Sequence, residues 1–132
     1  MILKSTGDSL ETRKNKLLIL EDDNLNQLVY KRILSKEYDV VICGDDKEFD
    51  SAINRDTYDL FIIDLAINCE RDGIDLIKEL RQTDQYRNTA IIVVTAFAFR
   101  KDRENCMAAG ATEFMVKPFD NINLLEAIEK YL

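Results

Sequence analysis

Polar side chains that suit a phosphoryl-binding site follow four apolar runs of this sequence. Each stands directly after its run: Glu21 and Asp22 after LLIL, Asp64 after LFII, Thr95 after IIVV, and Lys117 after FMV. Carboxylates are preferred ligands of hard divalent cations, and Mg²⁺ usually combines one or two of them with water and a ligand phosphate. A lysine and a hydroxyl suit an anion with several oxygens. The set predicts a site for a divalent cation and a phosphoryl group.

A cluster of acidic side chains indicates a nearby positive charge, because the carboxylates would otherwise repel one another. Two bare carboxylates about 4 Å apart repel each other by roughly 4 kcal/mol at an effective dielectric of about 20. A bound cation removes that cost. A single acid at a strand end is more often a helix cap, and we expect that role for Asp23. Thr95 alone or the Lys117-Pro118 pair alone would indicate little, so the prediction depends on all four strand ends together.

The elements that must position these residues can be predicted from periodicity. Five apolar, β-rich runs alternate with segments of helical spacing; the runs lie at residues 17–20, 39–42, 60–63, 90–94 and 114–116. This alternation predicts an α/β domain with a doubly wound, five-stranded parallel sheet covered by helices on both faces. With the flavodoxin-like strand order 2-1-3-4-5, strands one and three are neighbours at the switch point where ligands bind. Glu21, Asp22 and Asp64 would then converge, with Thr95 and Lys117 nearby.

Five helices are predicted between and after the strands. Their markers are Leu25, Leu28, Val29 and Ile33 for the first, Phe49, Ala52 and Ile53 for the second, Ile74, Ile77 and Leu80 after Asp72-Gly73 for the third, residues 100–109 before Gly110 for the fourth, and Ile122, Leu125, Ile128 and Leu132 after Asp120 for the last. Residues 1–15 are polar and lack a sustained period. We therefore predict a flexible tail or linker at 1–15 and one domain at 16–132.

Composition excludes several classes of function. The chain has no histidine, which excludes serine–histidine triads, histidine zinc sites and a phosphohistidine carrier. Its net charge of -7 argues against a nucleic-acid-binding surface. The odd number and the spacing of Cys43, Cys69 and Cys106 fit neither a zinc site nor a disulfide framework. We expect reduced thiols in a cytoplasmic protein, with no signal peptide, no membrane span and no membrane partner.

The motifs LILEDD, DLFIIDLA, VVTA and FMVKPF, in this order and spacing, resemble the receiver domain of two-component response regulators (the CheY-like family). The resemblance covers about residues 16–132. It implies a switch in which Asp64 accepts a phosphoryl group from a phosphohistidine. The donor would be a sensor histidine kinase or a histidine phosphotransfer protein. The domain would catalyse only its own phosphoryl transfer and dephosphorylation, and would not be a turnover enzyme.

The resemblance also implies roles for the other site residues. Asp22 would bind Mg²⁺ directly and Glu21 mostly through water, with the backbone carbonyl of Ala66 as a further ligand; Mn²⁺ or Ca²⁺ could substitute. Lys117 would pair with phosphoryl oxygens and be followed by a cis bond to Pro118. Thr95 and Phe114 would form the conformational switch. An effector, or a second copy in a dimer, would contact the face built by helix four, strand five and helix five.

Several positions depart from the family pattern. Ile67 and Asn68 stand where receivers commonly have Met-Pro, and Asp72-Gly73 falls one residue late, which predicts a longer and less rigid loop. Neither Ala66 nor Phe97 can orient an attacking water, so we predict slow self-dephosphorylation, with packing of Phe97 on helix four as the alternative. Phe97 and Phe99 together fit a partner contact or a local core equally well.

Other interpretations were weighed against the switch. A pseudo-receiver, a constitutive interaction domain with the fold but without the chemistry, is the main alternative; the intact acid pair, Asp64, Thr95 and Lys117 argue against it. A phosphatase of the haloacid dehalogenase type would need Asp-x-Asp, but Asp64 is followed by Leu65-Ala66. A flavin binder would need a phosphate-cradling loop where EDDNLNQ stands. A stand-alone regulator and a domain of a longer protein both remain open.

Overall fold

The computed structural model describes residues 13–67, 69–96 and 99–132. Strands and helices alternate along the chain. The strands are β1 (Lys16–Leu20), β2 (Asp39–Cys43), β3 (Leu60–Asp64), β4 (Ala90–Thr95) and β5 (Glu113–Val116). The helices are α1 (Asn24–Leu34), α2 (Asp46–Arg55), α3 (Gly73–Gln82), α4 (Arg100–Ala109) and α5 (Asn121–Tyr131), with a short 3-10 turn at Asp84–Tyr86.

The five strands form one parallel sheet in the order β2-β1-β3-β4-β5, which confirms the predicted fold and strand order. Each strand extends one residue beyond its predicted apolar run. In β3 and β4 the added residue is Asp64 or Thr95, so both side chains are carried by the last residue of a hydrogen-bonded strand. A strand end is more rigid than a loop, and this suits a site whose side chains must be fixed.

The sheet separates two apolar cores because successive side chains of a strand point to opposite faces. On one face Leu18, Leu20 and Phe61 pack with α2, α3 and α4. On the other, Leu17 and Ile19 pack with α1 and α5. These strand residues are fully buried, as the continuously apolar runs predict for a sheet covered on both sides.

Local sequence signals set several helix ends. The side chain of Asp23 accepts a hydrogen bond from Asn26 N at 2.9 Å, which confirms its predicted capping role. Asp72 and Asp75 form a reciprocal capping box at the start of α3. At the other end of a helix, Gly110 ends α4 with φ of 119°, a conformation that side chains disfavour.

Three of the four aliphatic residues that marked α1 do not pack on the sheet. Leu25, Leu28 and Val29 are 69%, 55% and 44% exposed, whereas Tyr30 and Leu34 are buried. Similarly, Ile122 in α5 is exposed, and Leu124 is buried in its place. The five helices were predicted correctly, and the apolar markers of α2 and α3 lie in or against the core. Only some of the markers of α1 and α5 face the sheet. No helix in the described ranges is long and apolar enough to cross a membrane.

Candidate functional site

Four predicted site residues meet at the carboxyl-terminal edge of the sheet. Glu21 follows β1, Asp64 ends β3, Thr95 ends β4, and Lys117 follows β5. The strand register aligns these ends, since Leu20 pairs with Ile63, Asp64 with Val94, and Thr95 with Val116. The backbone N–H of Lys117 also donates to the carbonyl of Thr95 at 2.8 Å. Glu21, Asp64 and Thr95 are buried, so their polar groups must find partners within the site.

Lys117 provides the counter-charge for two of the acids. Its ammonium donates to Glu21 Oε1 at 2.8 Å and to Asp64 Oδ2 at 2.7 Å. Burial alone would lower the pKa of Lys117, but its hydrogen bonds to Asp64 and Glu21 outweigh that effect and raise the pKa above its usual value. The lysine is therefore held in its charged form between the two carboxylates. The peptide bond from Lys117 to Pro118 is cis, as the family resemblance implies.

The remaining oxygens of the two buried acids are held by backbone groups. Asp64 Oδ1 accepts from the backbone N–H of Ala66 at 2.8 Å, and Glu21 Oε2 accepts from Asp23 N at 3.1 Å. The side chain of Gln27 donates to the Glu21 carbonyl at 2.6 Å. Asp22 and Ala66 lie beside these groups in the sequence and are exposed to solvent. The local backbone thus fixes both carboxylates while leaving the edge of the sheet accessible.

The donor set fits a hard cation that keeps part of its water shell. In the described part of the chain, no group of three histidine, cysteine or acidic side chains is arranged to hold a metal ion by itself. Mg²⁺ is commonly bound by one or two carboxylates together with waters and phosphate oxygens, and so needs no complete protein cage. Glu21 and Asp64 are two buried carboxylates sharing one ammonium, and Asp22 adds a third acid nearby. The site therefore has the oxygen ligands and the excess negative charge that such a cation requires.

Thr95 borders a small cavity of about 240 Å³ between the β3–α3 loop and α4. Ala66, Gly73 and Phe99 also line it. Phe99 is exposed, so the expectation that it lies in a local core is wrong. Phe97 and Asn68 lie outside the described residues.

Phe114 is buried on β5 in the core beneath α4, where the guanidinium carbon of Arg103 lies 5.7 Å from its ring centroid.

The sequence did not single out two residues that lie close to the site. Tyr30 is buried beside Lys117, and it lines a groove of about 400 Å³ between α1 and the start of α5. Burial raises the pKa of its phenol to about 12. The only sequence feature that indicated burial of Tyr30 was its spacing of four residues from Leu34, which places both on one face of α1. Arg71 in the β3–α3 loop contacts acids on two helices, and a lone arginine in an acidic loop gave no indication of these partners.

Residues 17–129 match the family model of the response regulator receiver domain. The chain belongs to the receiver domain family of response regulators. This receiver domain is 34% identical over 118 residues to the transcriptional regulatory protein CpxR of Klebsiella pneumoniae, a match that covers 89% of this chain and 49% of CpxR. It is 31% identical over 120 residues to the sensory/regulatory protein RpfC of Xanthomonas campestris, covering 88% of this chain and 16% of RpfC. The chain thus spans about half or less of these relatives.

Solved receiver domains have the same fold. The receiver domain of the sensor histidine kinase PA1611 from Pseudomonas aeruginosa, solved with a magnesium ion in its active site cleft, is 29% identical with a TM-score of 0.80; the match covers 90% of this chain and 98% of that one. Chemotaxis protein CheY4 of Vibrio cholerae is 25% identical with a TM-score of 0.84, and the match covers 91% of this chain and all of CheY4. The family is that of phosphorylation-dependent signalling switches.

Proposed function

We propose that Asp64 is the phosphoacceptor of this receiver domain and that its donor is a phosphohistidine on a histidine kinase or a histidine phosphotransfer protein. The observation that carries the proposal is the ammonium of Lys117, which bridges Asp64 and Glu21 at hydrogen-bond distance. The kinase-type relatives support the class of partner. The chain itself has no histidine, so the donor must be another protein or another part of a longer chain.

The chemistry is an in-line transfer. A carboxylate oxygen of Asp64 forms a bond to phosphorus while the bond between phosphorus and the donor imidazole breaks, and the electron pair of that bond stays on the imidazole nitrogen. Negative charge is spread over the equatorial oxygens of the transferring group. Lys117, held in its charged form next to Asp64, neutralises part of that charge, and positioning and electrostatics account for most of such catalysis. We propose that the domain catalyses only this transfer and its own dephosphorylation, in which water attacks phosphorus and the aspartyl P–O bond breaks to release inorganic phosphate, and that it is not a turnover enzyme.

A divalent cation completes the site. Asp22, Asp64 and the backbone carbonyl of Ala66 would hold it directly, and Glu21 would do so mostly through water. Bound there, Mg²⁺ would supply positive charge to the phosphoryl oxygens; Mn²⁺ or Ca²⁺ would substitute because they also prefer oxygen ligands. Magnesium in the cleft of the PA1611 receiver supports this assignment.

The switch would consist of Thr95 and Phe114. When the hydroxyl of Thr95 moves toward the phosphoryl group, space opens on the α4 side, and the ring of Phe114 follows. Phe114 lies beneath α4 and has no phenol, so its movement changes packing and the contact with Arg103 without a hydroxyl hydrogen bond. The output would be a population shift on the face formed by α4, β5 and α5, where an effector or a second receiver binds.

Several finer assignments belong to the same proposal. We place the domain at 16–132, with 1–15 as a linker. We also place the protein in the cytoplasm, a location that its three unpaired cysteines support. Slow self-dephosphorylation stays a prediction, because Ala66 has no side chain that could orient a water and Phe97 is outside the described residues. Any direct contact with nucleic acid is disfavoured by the net charge of -7.

Intact-protein mass spectrometry tests the central assignment. The chain is incubated with acetyl phosphate and Mg²⁺, beside an Asp64→Asn variant of nearly equal size. We expect the wild type to gain one phosphoryl group, and we expect no gain in the variant or when EDTA removes the Mg²⁺. If the wild type gains no mass and binds no Mg²⁺, the domain is a pseudo-receiver. If the variant gains the same mass, the acceptor is a different residue.

A further inference from the structure

Arg71 ties the loop that follows Asp64 to two helices. Its guanidinium donates to Glu79 of α3 at 2.6 Å, and on α2 it pairs with Asp50 and, at 3.4 Å, with Asp46. The backbone N–H of Arg71 also reaches the carboxylate of Asp46, at 3.4 Å. The arginine side chain is mostly buried, and the carboxylate of Asp46 is almost completely so. One planar cation therefore joins the β3–α3 loop to both helices that flank it.

The contacts with Arg71 stabilise the charged form of Asp46. Burial opposes ionisation of Asp46, but hydrogen bonds from the backbone and side chain of Arg71 outweigh it and lower the pKa of this carboxyl. A guanidinium can bind several acids at once because its five donors point outward in one plane, whereas the ammonium of a lysine is a single point charge. Asp46 and Asp50 would repel each other without it, because they are one helical turn apart on α2.

The same loop carries the backbone of Ala66. Next to Asp64 it is held by the hydrogen bond from Ala66 N to Asp64 Oδ1, and then by burial of Ile67 in the core under α2 and α3. Near its far end, the thiol of Cys69 donates to the carbonyl of Arg71 at 2.9 Å. Proline, which would fix the backbone by its ring, is absent from residues 65–72. The side chain of Arg71 connects this end of the loop to α2 and α3 through its ion pairs.

We propose that Arg71 is a positioning residue of the phosphorylation site: by binding acids on α2 and α3 it holds the β3–α3 loop, and with it the carbonyl of Ala66, where the divalent cation needs an oxygen. This inference rests on the proposed function, in which Ala66 supplies a cation ligand. Arg71 itself touches neither the cation nor the phosphoryl group. Its effect is therefore on the affinity for the cation, and not on the phosphoryl transfer step itself.

The test compares Arg71→Gln with the wild type in two measurements. The first is binding of Mn²⁺ alone, followed by electron paramagnetic resonance of the free ion. The second is the rate of phosphorylation by acetyl phosphate as a function of Mg²⁺ concentration. We expect the dissociation constant for Mn²⁺ and the half-saturating Mg²⁺ concentration both to rise by about fivefold to tenfold. The rate at saturating Mg²⁺ should change by less than about twofold.

Further variants separate positioning from a general loss of folding. A purely structural role would lower the fraction of active protein and leave the half-saturating Mg²⁺ concentration unchanged. Arg71→Lys should recover only part of the affinity, and Glu79→Gln should weaken binding less than Arg71→Gln does. The Arg71→Gln/Glu79→Gln double variant should be no weaker than Arg71→Gln alone, because both changes break the same contact. Arg87→Gln, which breaks an exposed pair with Asp84, is the matched control and should change nothing.

The possible results distinguish failure of the positioning role from failure of the proposed function. Unchanged Mn²⁺ affinity in folded Arg71→Gln overturns the positioning role; if that variant does not fold, Glu79→Gln and Asp50→Asn decide in its place. A wild type that binds Mn²⁺ but gains no phosphoryl group would remove the proposed function, and the Mn²⁺ measurement would still judge Arg71. A wild type that does not bind Mn²⁺ overturns both.

Discussion

Removing the ammonium of Lys117 should destabilise the folded domain when no divalent cation is present. Two carboxylate oxygens within hydrogen-bond distance of one ammonium are about 5 Å apart, and they would repel each other by about 3 kcal/mol at an effective dielectric of about 20. Breaking a buried ion pair by removing one partner typically costs about 3–5 kcal/mol. The side chain of Lys117 is 21% exposed, so solvent moderates the effect. We expect Lys117→Met to lose about 2–4 kcal/mol of unfolding free energy at pH 7.

Urea denaturation followed by circular dichroism, in EDTA and in Mg²⁺, measures this loss. Mg²⁺ should stabilise Lys117→Met more than it stabilises the wild type, because the cation replaces the missing positive charge. Lys130→Met is the control; Lys130 pairs with Glu113 at 3.2 Å on the surface, so its loss should have a much smaller effect. If Lys117→Met is as stable as the wild type in EDTA, the two acids do not need a counter-charge, and our account of the site is wrong.

The pH dependence of the same variant has a definite sign. The folded state raises the pKa of Lys117 above its usual 10.5. Its contribution is therefore fully present below pH 10.5 and is lost as the pH rises through the higher value of the folded state. The difference in stability between wild type and Lys117→Met should accordingly stay large at neutral pH and shrink only above that point. A difference that disappears between pH 7 and 9 would contradict the assignment of the charge to Lys117.

Two further predictions follow from burial and backbone geometry. Burial raises the pKa of the Cys43 thiol to about 12 and that of the Cys106 thiol to about 11. Cys69 is partly exposed, so at pH 8 a thiol reagent should modify Cys69 well before the two buried thiols. Mass spectrometry counts the modified cysteines. Gly110→Ala should lose about 1–3 kcal/mol in a denaturation experiment. The reason is that φ is 119° there and an added Cβ would lie 2.6 Å from Arg81 Cγ; an unchanged midpoint would show that α4 can end differently.

The fold and the strand-end residues could be predicted because both depend on short-range patterns. Apolar runs of three to five residues identify the strands, and a parallel sheet brings all their carboxyl ends to one edge. Glu21, Asp64, Thr95 and Lys117 could therefore be grouped without knowing any contact. The orientation of α1 could not be predicted in this way. Leu25, Leu28 and Val29 lie on a different face of the helix from Tyr30 and Leu34, and only the packing against the sheet decides which face is buried.

The path of the β3–α3 loop was unpredictable for a different reason. Its tether consists of contacts between Arg71 and acids 25, 21 and 8 residues away in the sequence. Acidic side chains are frequent in this chain, so no spacing distinguishes these partners from the others. The missing Met-Pro pair predicts a loop less rigid than average, and this stays a prediction. The structure shows ion pairs between Arg71 and three acids distant in sequence at the far end of the loop.

In the proposed function, the charge balance of the site gives the divalent cation and Lys117 separate roles. Glu21, Asp22 and Asp64 place three carboxylates at one edge of the sheet, against the single ammonium of Lys117 that bridges two of them. That edge stays negative overall, and it would repel an incoming phosphoryl group. A bound divalent cation would neutralise this excess negative charge and would compete with Lys117 for the same carboxylate oxygens. The ammonium lies 2.7 Å from Asp64 Oδ2, so it would then be placed to pair with the oxygens of the phosphoryl group that we propose Asp64 accepts.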